Sequence, residues 1–449
     1  MKVCIIGGGV SGLQTADILS KNGHECHIFE SESAPGGVWR ENYDGYGLQV
    51  PSELYEFCNL RTMLKNGSFP NGYNVNEYIK RFIVHCQLQE RCTFHFNESV
   101  ENISFVNQWN IQTNQSSYSF DYCVICTGMY NNPQIPSEFD GMNVVHSSTF
   151  KDASITRDKN VAVIGGGKSA IDCAVSCSKH AKSVTIITRE MHWPVPRYIL
   201  GFIPFKWGTY SRLGHFLLPK HWNLTKTENS WHNRLKPLKH VVWRLLEHVF
   251  SWQFNLSKRP SIPIEIDLFN GGQILSYEFS NAIKEGIIKQ IVCSNTLQHL
   301  SNMDLIISGT GFKKDYGIFD KTICDKLDLQ EDGLWLYKNI IPVNVPNLAF
   351  IGSEVSTFNN ILTQHLQAEW LVGFIDKPHN NSEMESFINN ERTWKRSWMP
   401  FTSCRASLIQ LHMVKYHDIL MRDLNKQTVN SKWWQWVIPH TARDYSYNN

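Results

Sequence analysis

The chain of 449 residues contains no apolar run of about 18 residues or more, so nothing in it reads as a membrane-spanning helix. It has no surplus of one charge either. With 43 basic against 41 acidic side chains, neither a nucleic-acid partner nor a strongly anionic one is implied. Paired cysteines are missing too: the twelve present are scattered, with Cys4, Cys26, Cys58, Cys86 and Cys92 coming one at a time. No secretory segment precedes them, which suits free thiols in a reducing, cytoplasmic compartment. Cys123 and Cys126 stand three apart in an apolar strand and so point to opposite faces, which excludes a metal or redox pair. Cys173 and Cys177 share a helix face and read as small core residues. No metal site is expected.

What is present is one device used twice. Lys2 to Ile6 is a short apolar strand, followed by Gly7-Gly8-Gly9-Val10-Ser11-Gly12 and then by apolar residues at helical spacing, Val10, Leu13, Ala16 and Leu19. A second strand, Cys26 to Phe29, ends at Glu30. Strand, glycine turn, helix and closing acid together make a dinucleotide site. Gly7 permits the turn, Gly9 lets the backbone approach a pyrophosphate, and Gly12 lets helix and strand pack closely. The helix start offers free N–H groups and partial positive charge to the phosphates. Glu30 then accepts hydrogen bonds from ribose hydroxyls.

The second copy runs from the strand Asn160–Ile164 through Gly165-Gly166-Gly167-Lys168-Ser169-Ala170 to a helix with Ala170, Ile171, Ala174 and Val175 inward. Its next strand, Ser183 to Thr188, is closed by Arg189 where the first copy has Glu30. A carboxylate suits a free 2′-hydroxyl and repels a 2′-phosphate, whereas a planar guanidinium suits that phosphate. The first site is therefore expected to take FAD and the second NADPH.

Two further apolar strands end in Thr-Gly: Asp121 to Gly128, with Thr127 and Gly128 at the end, and Asp304 to Gly311. They bracket the second copy as crossings between a host domain and an inserted one. The expected architecture is α/β, with two Rossmann-like dinucleotide-binding domains and the NADPH domain inserted into a discontinuous FAD domain. The boundaries are residues 1–150 and 313–449 for FAD and 151–312 for NADPH. A late strand, Asn347 to Gly352, precedes a helix near Ile361 to Phe374, whose N-terminus suits the electron-rich end of a flavin.

Over nearly its whole length the chain resembles the flavin-containing monooxygenases, the class B flavoprotein family. The resemblance rests on both glycine turns, on Gly36-Gly37-Val38-Trp39-Arg40, on Cys126-Thr-Gly128, on Ser308-Gly-Thr-Gly-Phe312 and on Leu362-Thr-Gln-His-Leu-Gln-Ala-Glu-Trp370. The family signature F-x-G-x-x-x-H-x-x-x-(Y/F) is approximated by Phe139-Asp-Gly141, His146 and Phe150, with one residue too many between Gly141 and His146. Baeyer–Villiger relatives carry Trp where Phe150 stands. Many members place an asparagine beside the flavin, but here the segment reads Leu48-Gln-Val-Pro51, which leaves Gln49 in that space.

The resemblance implies that Gly8, Ser11, Gly37, Val38, Trp39, Gln49, Thr127, Gly128, Gly352 and Leu362 contact FAD, with Gly166, Lys168 and Ser169 beside Arg189 on NADPH. It also implies an enzyme that reduces its flavin with NADPH and forms a C4a-hydroperoxide with oxygen. That species oxygenates the nitrogen or sulfur of a small amine or thioether, with no protein nucleophile and no assigned catalytic residue. The competing readings are an uncoupled NADPH oxidase or a carbon-oxidising relative, and a redox protein that binds both nucleotides without turnover.

Two aromatic stretches stand outside these motifs. His192 to Trp207 is broken by prolines and reads equally as a channel wall or peripheral membrane contact and as an extra packed lobe. Trp433-Trp-Gln-Trp436 is expected to pack against the FAD domain. His365, in the late helix, either faces the flavin or caps a core.

Overall fold

A computed structural model describes residues 1–445 except 257, 272, 357, 376, 378–379, 399–409 and 427–432. Its frame is two parallel five-stranded sheets. The first has the order Leu348–Phe350, Tyr122–Ile125, Lys2–Ile6, Glu25–Glu30, Thr93–Phe96. The second has the order Ile288–Val292, Ser183–Thr188, Asn160–Ile164, Leu305–Ser308, Val144–His146. In each, the strand before the glycine turn is central and pairs with the strand after the helix, Lys2 with Glu25 and Asn160 with Ser183.

These strands read as unbroken apolar runs because both faces are buried. In the first sheet Val3 and Ile5 face a core shared with the helices Val10–Lys21 and Asn360–Ile375, whereas Cys4 and Ile6 face an antiparallel sheet. That sheet is built from Val100–Phe105, Trp109–Thr113 and Ser117–Phe120. Cys123 joins the second of these cores and Cys126 the first, so the two thiols diverge as their spacing requires. Cys173 and Cys177 are buried on the inner face of the helix Lys168–Cys177. All cysteines among the described residues are free thiols.

The first sheet draws strands from residues 2–125 and again from 348–350, on either side of the second sheet in the sequence. The strand Val144–His146 pairs with Leu305–Ser308 in the second sheet, although it precedes the expected boundary at residue 150. Three residues are too short a strand for hydropathy to assign to a sheet; the pairing partner assigns it.

Residues 192–275 form a lobe with its own core of Trp193, Val195, Phe205, Trp243, Phe250 and Phe269. The strand Pro194–Pro196 pairs with Gln273–Leu275, and Tyr198–Ile199 turns back on Ile203–Pro204. The aromatic stretch after His192 is therefore a packed lobe for the most part, while Leu200, Phe202, Ile203 and Trp207 remain exposed on it. Trp434 and Trp436 also stay exposed, on a short turn beside the helix Arg212–Leu217. Among the described residues no helix is long and apolar enough to cross a membrane.

Candidate functional site

The two glycine turns repeat one geometry. Gly7 has φ +106°, and a Cβ there would stand 2.5 Å from the Cys126 carbonyl oxygen. Gly165 has φ +124°, and a Cβ would stand 2.3 Å from the Gly309 carbonyl oxygen. Gly7 thus lies against the end of the strand Tyr122–Ile125 and Gly165 against the end of Leu305–Ser308, where a side chain has no room. A Cβ on Gly12 would fall 1.9 Å from the Gly7 carbonyl oxygen, so the first helix closes onto its turn. Gly9 and Gly37 bring their backbones together, since a Cβ on Gly37 would lie 3.2 Å from the Gly9 Cα.

Both helices begin on a glycine, Gly9 and Gly167, with no side-chain cap and no acid in the first turn. Their leading N–H groups are left for a ligand, the arrangement that binds phosphate. The Glu30 carboxylate accepts the Gly8 N–H at 2.8 Å and the Glu32 N–H at 3.0 Å. Its Oε1 also accepts the Ser31 hydroxyl at 3.3 Å, so these bonds aim the carboxylate along the turn while Oε2 keeps a lone pair for a hydroxyl. Arg189 is exposed at the matching strand end. The cradles left by the missing side chains, the uncapped helix starts and the opposite charges at the strand ends fit two dinucleotides.

One cavity of about 1870 Å³ joins the two turns. Gly7, Gly9, Ser11, Glu30, Gly37, Val38, Trp39, Gln49, Thr127, Gly128 and Gly352 line it from the first unit. Gly165, Gly166, Gly167, Lys168, Ser169 and Arg189 line it from the second. Gly8 and Gly12 stand behind the lining, where they serve packing. Leu362 is not brought to the cavity: it is buried, and its N–H is taken by the Asn359 side chain at 3.2 Å. The start of the late helix is thus partly capped by its own chain, which a helical periodicity does not reveal.

Gln49 does reach the cavity, and its Oε1 also accepts the Ile274 N–H at 3.2 Å, tying the first unit to the lobe. His365 does not line it; its Nε2 lies 3.4 Å from Glu369 Oε1. Burial acts to lower the His365 pKa, but Cys58 and Glu369 outweigh it and push it up to about 10. His146 is buried, with Nε2 3.0 Å from the Gly311 carbonyl and its ring edge-on to Phe312 at 5.1 Å. It ties the strand Val144–His146 to the segment that follows Leu305–Ser308, and Phe150 is fully buried in the core of the second sheet.

Sequence reasoning missed Tyr43 and Asp172. The Tyr43 hydroxyl donates to Asp172 Oδ2 at 3.1 Å across the two units, and Asp172 pairs with Lys168. It also missed the apolar part of the wall, Leu268, Phe269, Ile274, Val355 and Phe358, which comes from segments without a motif.

Comparison with known proteins agrees with this geometry. The family model described as flavin-binding monooxygenase-like matches residues 1–433. Flavin-containing monooxygenase 1 of Canis lupus familiaris is 27% identical over 466 residues, 94% of this chain and 83% of the relative. Among solved structures, cyclohexanone monooxygenase with cyclohexanone bound superposes with a TM-score of 0.69 at 16% identity, covering 94% of this chain and 97% of that one. S-allyl-L-cysteine S-oxygenase from Allium sativum gives 0.63 at 17% identity, covering 97% and 90%. The chain belongs to the flavin-binding monooxygenase-like family and is an FAD- and NADPH-dependent monooxygenase.

Proposed function

We propose that the enzyme holds FAD on the turn Gly7–Gly12 and NADPH on the turn Gly165–Ala170, and oxygenates a nitrogen or sulfur atom of a small molecule. The observation that carries the cofactor assignment is the pair Glu30 and Arg189, of opposite charge at equivalent strand ends of one cavity. The chemistry the flavin supplies when bound is two-electron transfer from NADPH and activation of molecular oxygen.

The chain's own part is binding, orientation and exclusion of water. The helix starts at Val10 and Lys168 neutralise the two pyrophosphates, Glu30 orients one ribose, and Arg189 selects the 2′-phosphate of the other. The apolar wall of Leu268, Phe269, Val355 and Phe358 keeps water from the oxygen-transferring centre and favours a soft, uncharged nucleophile. The family likeness to the Allium sativum S-oxygenase supports sulfur as one such atom.

Purified protein tests the reading. NADPH-dependent oxygen uptake, measured with a panel of thioethers and tertiary amines, should yield stoichiometric sulfoxide or N-oxide. Hydrogen peroxide alone would make the protein an oxidase, and a bound flavin that NADPH fails to reduce would make it a nucleotide-binding redox protein.

A membrane-surface contact is the second reading, favoured by the helix Lys236–Gln253. Leu238, Val241, Leu245 and Trp252 form one stripe on its outer face, with exposures of 58%, 52%, 60% and 73%. Trp243, Glu247 and Phe250 are buried on the opposite face. Gln253 bonds the hairpin that carries exposed Phe202, which extends the apolar surface. Exposed Arg234, Lys236, Lys258 and Arg259 flank the stripe, while Glu247 is the single acid between residues 229 and 263. An apolar face with a basic rim suits an anionic lipid surface. Co-sedimentation with vesicles rich in anionic lipid, lost in Leu245→Glu with Trp252→Glu, is the expected result. Equal recovery of parent and variant in the supernatant would refute it.

A further inference from the structure

The loop Tyr43–Gly45 of the first unit lies on the helix Lys168–Cys177 of the second. Tyr43 donates to Asp172 at 3.1 Å, Ser176 Oγ donates to the Asp44 carbonyl at 3.1 Å, and the Asp44 N–H bonds the Phe150 carbonyl at 2.8 Å. A Cβ on Gly45 would stand 2.8 Å from Ser176 Oγ, so loop and helix are in close contact. Asp172 sits at the centre of this seam. One of its oxygens takes both the Tyr43 hydroxyl and the Lys168 ammonium. Lys168 and Tyr43 line the large cavity, whereas Asp172 lies behind them.

Lys168 occupies the first position of the helix whose uncapped start faces the second nucleotide site. Its ammonium therefore has two competing anions: the Asp172 carboxylate one turn along, and the phosphates of an arriving nucleotide. We propose that Lys168, Asp172 and Tyr43 form a latch between the two nucleotide units, in which NADPH phosphates draw Lys168 away from Asp172 and the Asp172 carboxyl takes up one proton from solvent, remaining tied to Tyr43. This rests on NADPH occupying the second glycine turn.

The balance of charges around Asp172 supports the step. Burial already holds the Asp172 carboxyl above the ordinary carboxylate range, opposed by Lys168, by the Tyr43 hydroxyl and by the Arg197 guanidinium. Removal of the first of these opposing charges leaves burial less opposed. Arg197 is itself stacked over Phe69 at 4.0 Å, depressed by burial, and shared with Glu278, so it does not take over from Lys168. Tyr43 is pushed up by burial and then by Asp172, with Cys173 and Tyr130 adding to the effect, so it stays a donor and does not carry the negative charge. The proton entering Asp172 must come from outside the seam. The consequence for the enzyme is that occupation of the NADPH site is felt at residue 43, on the loop that follows the flavin-side segment Gly37–Trp39.

Titration calorimetry of the FAD-loaded protein with NADP+ at pH 7, in two buffers of different ionisation enthalpy, reads the protons exchanged per nucleotide bound. The expected result is net uptake approaching about one proton in the parent and none in Asp172→Asn, with binding retained. Uptake that is equal in the two proteins, or absent in the parent, would overturn the latch. NADP+ is expected to shift the flavin absorbance of the parent, and Tyr43→Phe to keep the proton uptake but lose that shift; no shift in the parent, or the same shift in both, overturns the far half of the latch. NADP+ binding that neither Lys168→Met nor Arg189→Ala weakens would place the nucleotide elsewhere, and would overturn the site assignment and the latch together.

Discussion

Gly309 makes room for Ala170: a Cβ at position 309 would stand 2.6 Å from the Ala170 Cβ. The first unit uses a different pairing at the same place, Gly12 on the helix against Cys126 on the strand, with 3.5 Å between the would-be Cβ and that of Cys126. The small residue has changed sides of the contact, and the close approach of helix and strand is kept.

A substitution at Gly309 follows from this exchange. Gly309→Ala is expected to destabilise the second unit by about 1–3 kcal/mol through overpacking, because both neighbours are held by regular structure. Gly309→Ala with Ala170→Gly should recover only part of the loss, since the two sites touch but the residue 170 Cα at 2.9 Å and the Ile164 carbonyl oxygen at 3.1 Å remain in the way. Urea denaturation of the single and double variants measures it; additive losses would show that the contact does not limit packing.

Arg189→Ala should raise the KM for NADPH by roughly 10- to 100-fold, the loss of about 1.5–3 kcal/mol from a charge-assisted contact. The KM for NADH should barely move, and kcat with NADPH at saturation should stay near the parent's. Steady-state kinetics with the two nucleotides distinguish this from general damage, which would affect both alike.

Gln49 joins the loop of the first unit to the strand Gln273–Leu275 at the cavity edge. Gln49→Leu leaves the Ile274 N–H without that acceptor, a net cost of about 1 kcal/mol. The expected functional effect is a higher fraction of NADPH oxidised to hydrogen peroxide instead of to product, as water enters at the loosened edge. Peroxide formed per NADPH consumed is the measurement, and an unchanged ratio would confine Gln49 to packing.

The protein should be labile to acid. His215, His412, His417 and His440 are buried on neighbouring segments, and burial lowers all four. His412 and His417 are lowered to about 3 and His440 to about 4. His215 Nδ1 lies 3.4 Å from His412 Nδ1, and His417 Nε2 lies 2.7 Å from Thr363 Oγ1. Between these values and the ordinary 6.5 the unfolded chain binds protons that the folded chain refuses. What these four histidines cost is therefore absent above about pH 6.5 and grows as pH drops below it, by about 1.4 kcal/mol per pH unit for each histidine. Against a usual total of about 5–15 kcal/mol, unfolding is expected before about pH 4. Thermal melts from pH 7.5 to 4.5 check the slope, and a flat melting temperature would contradict it.

The strands Asn160–Ile164 and Ser183–Thr188 and the two glycine turns were legible in the sequence because each is specified locally. A continuous apolar run, a turn that tolerates no Cβ and a helix with period 3.6 require only near neighbours to be recognised. Glu30 and Arg189 could be placed for the same reason, since strand length fixes their distance from the turn.

Contacts between distant segments were not legible. Tyr43 and Asp172 are 129 positions apart, and no pattern in either segment announces the other. Leu362 fits the helical period but loses its N–H to Asn359, and Trp434 and Trp436 are aromatic yet stay exposed. The amino-acid order by itself determined the two glycine turns and the opposite charges at the ends of the strands that follow them, because both are set within a short stretch of chain. Only the tertiary structure decided which strand edges pair, which donors reach the shared cavity and where the two units meet, because those depend on packing between segments whose separation along the chain carries no local signal.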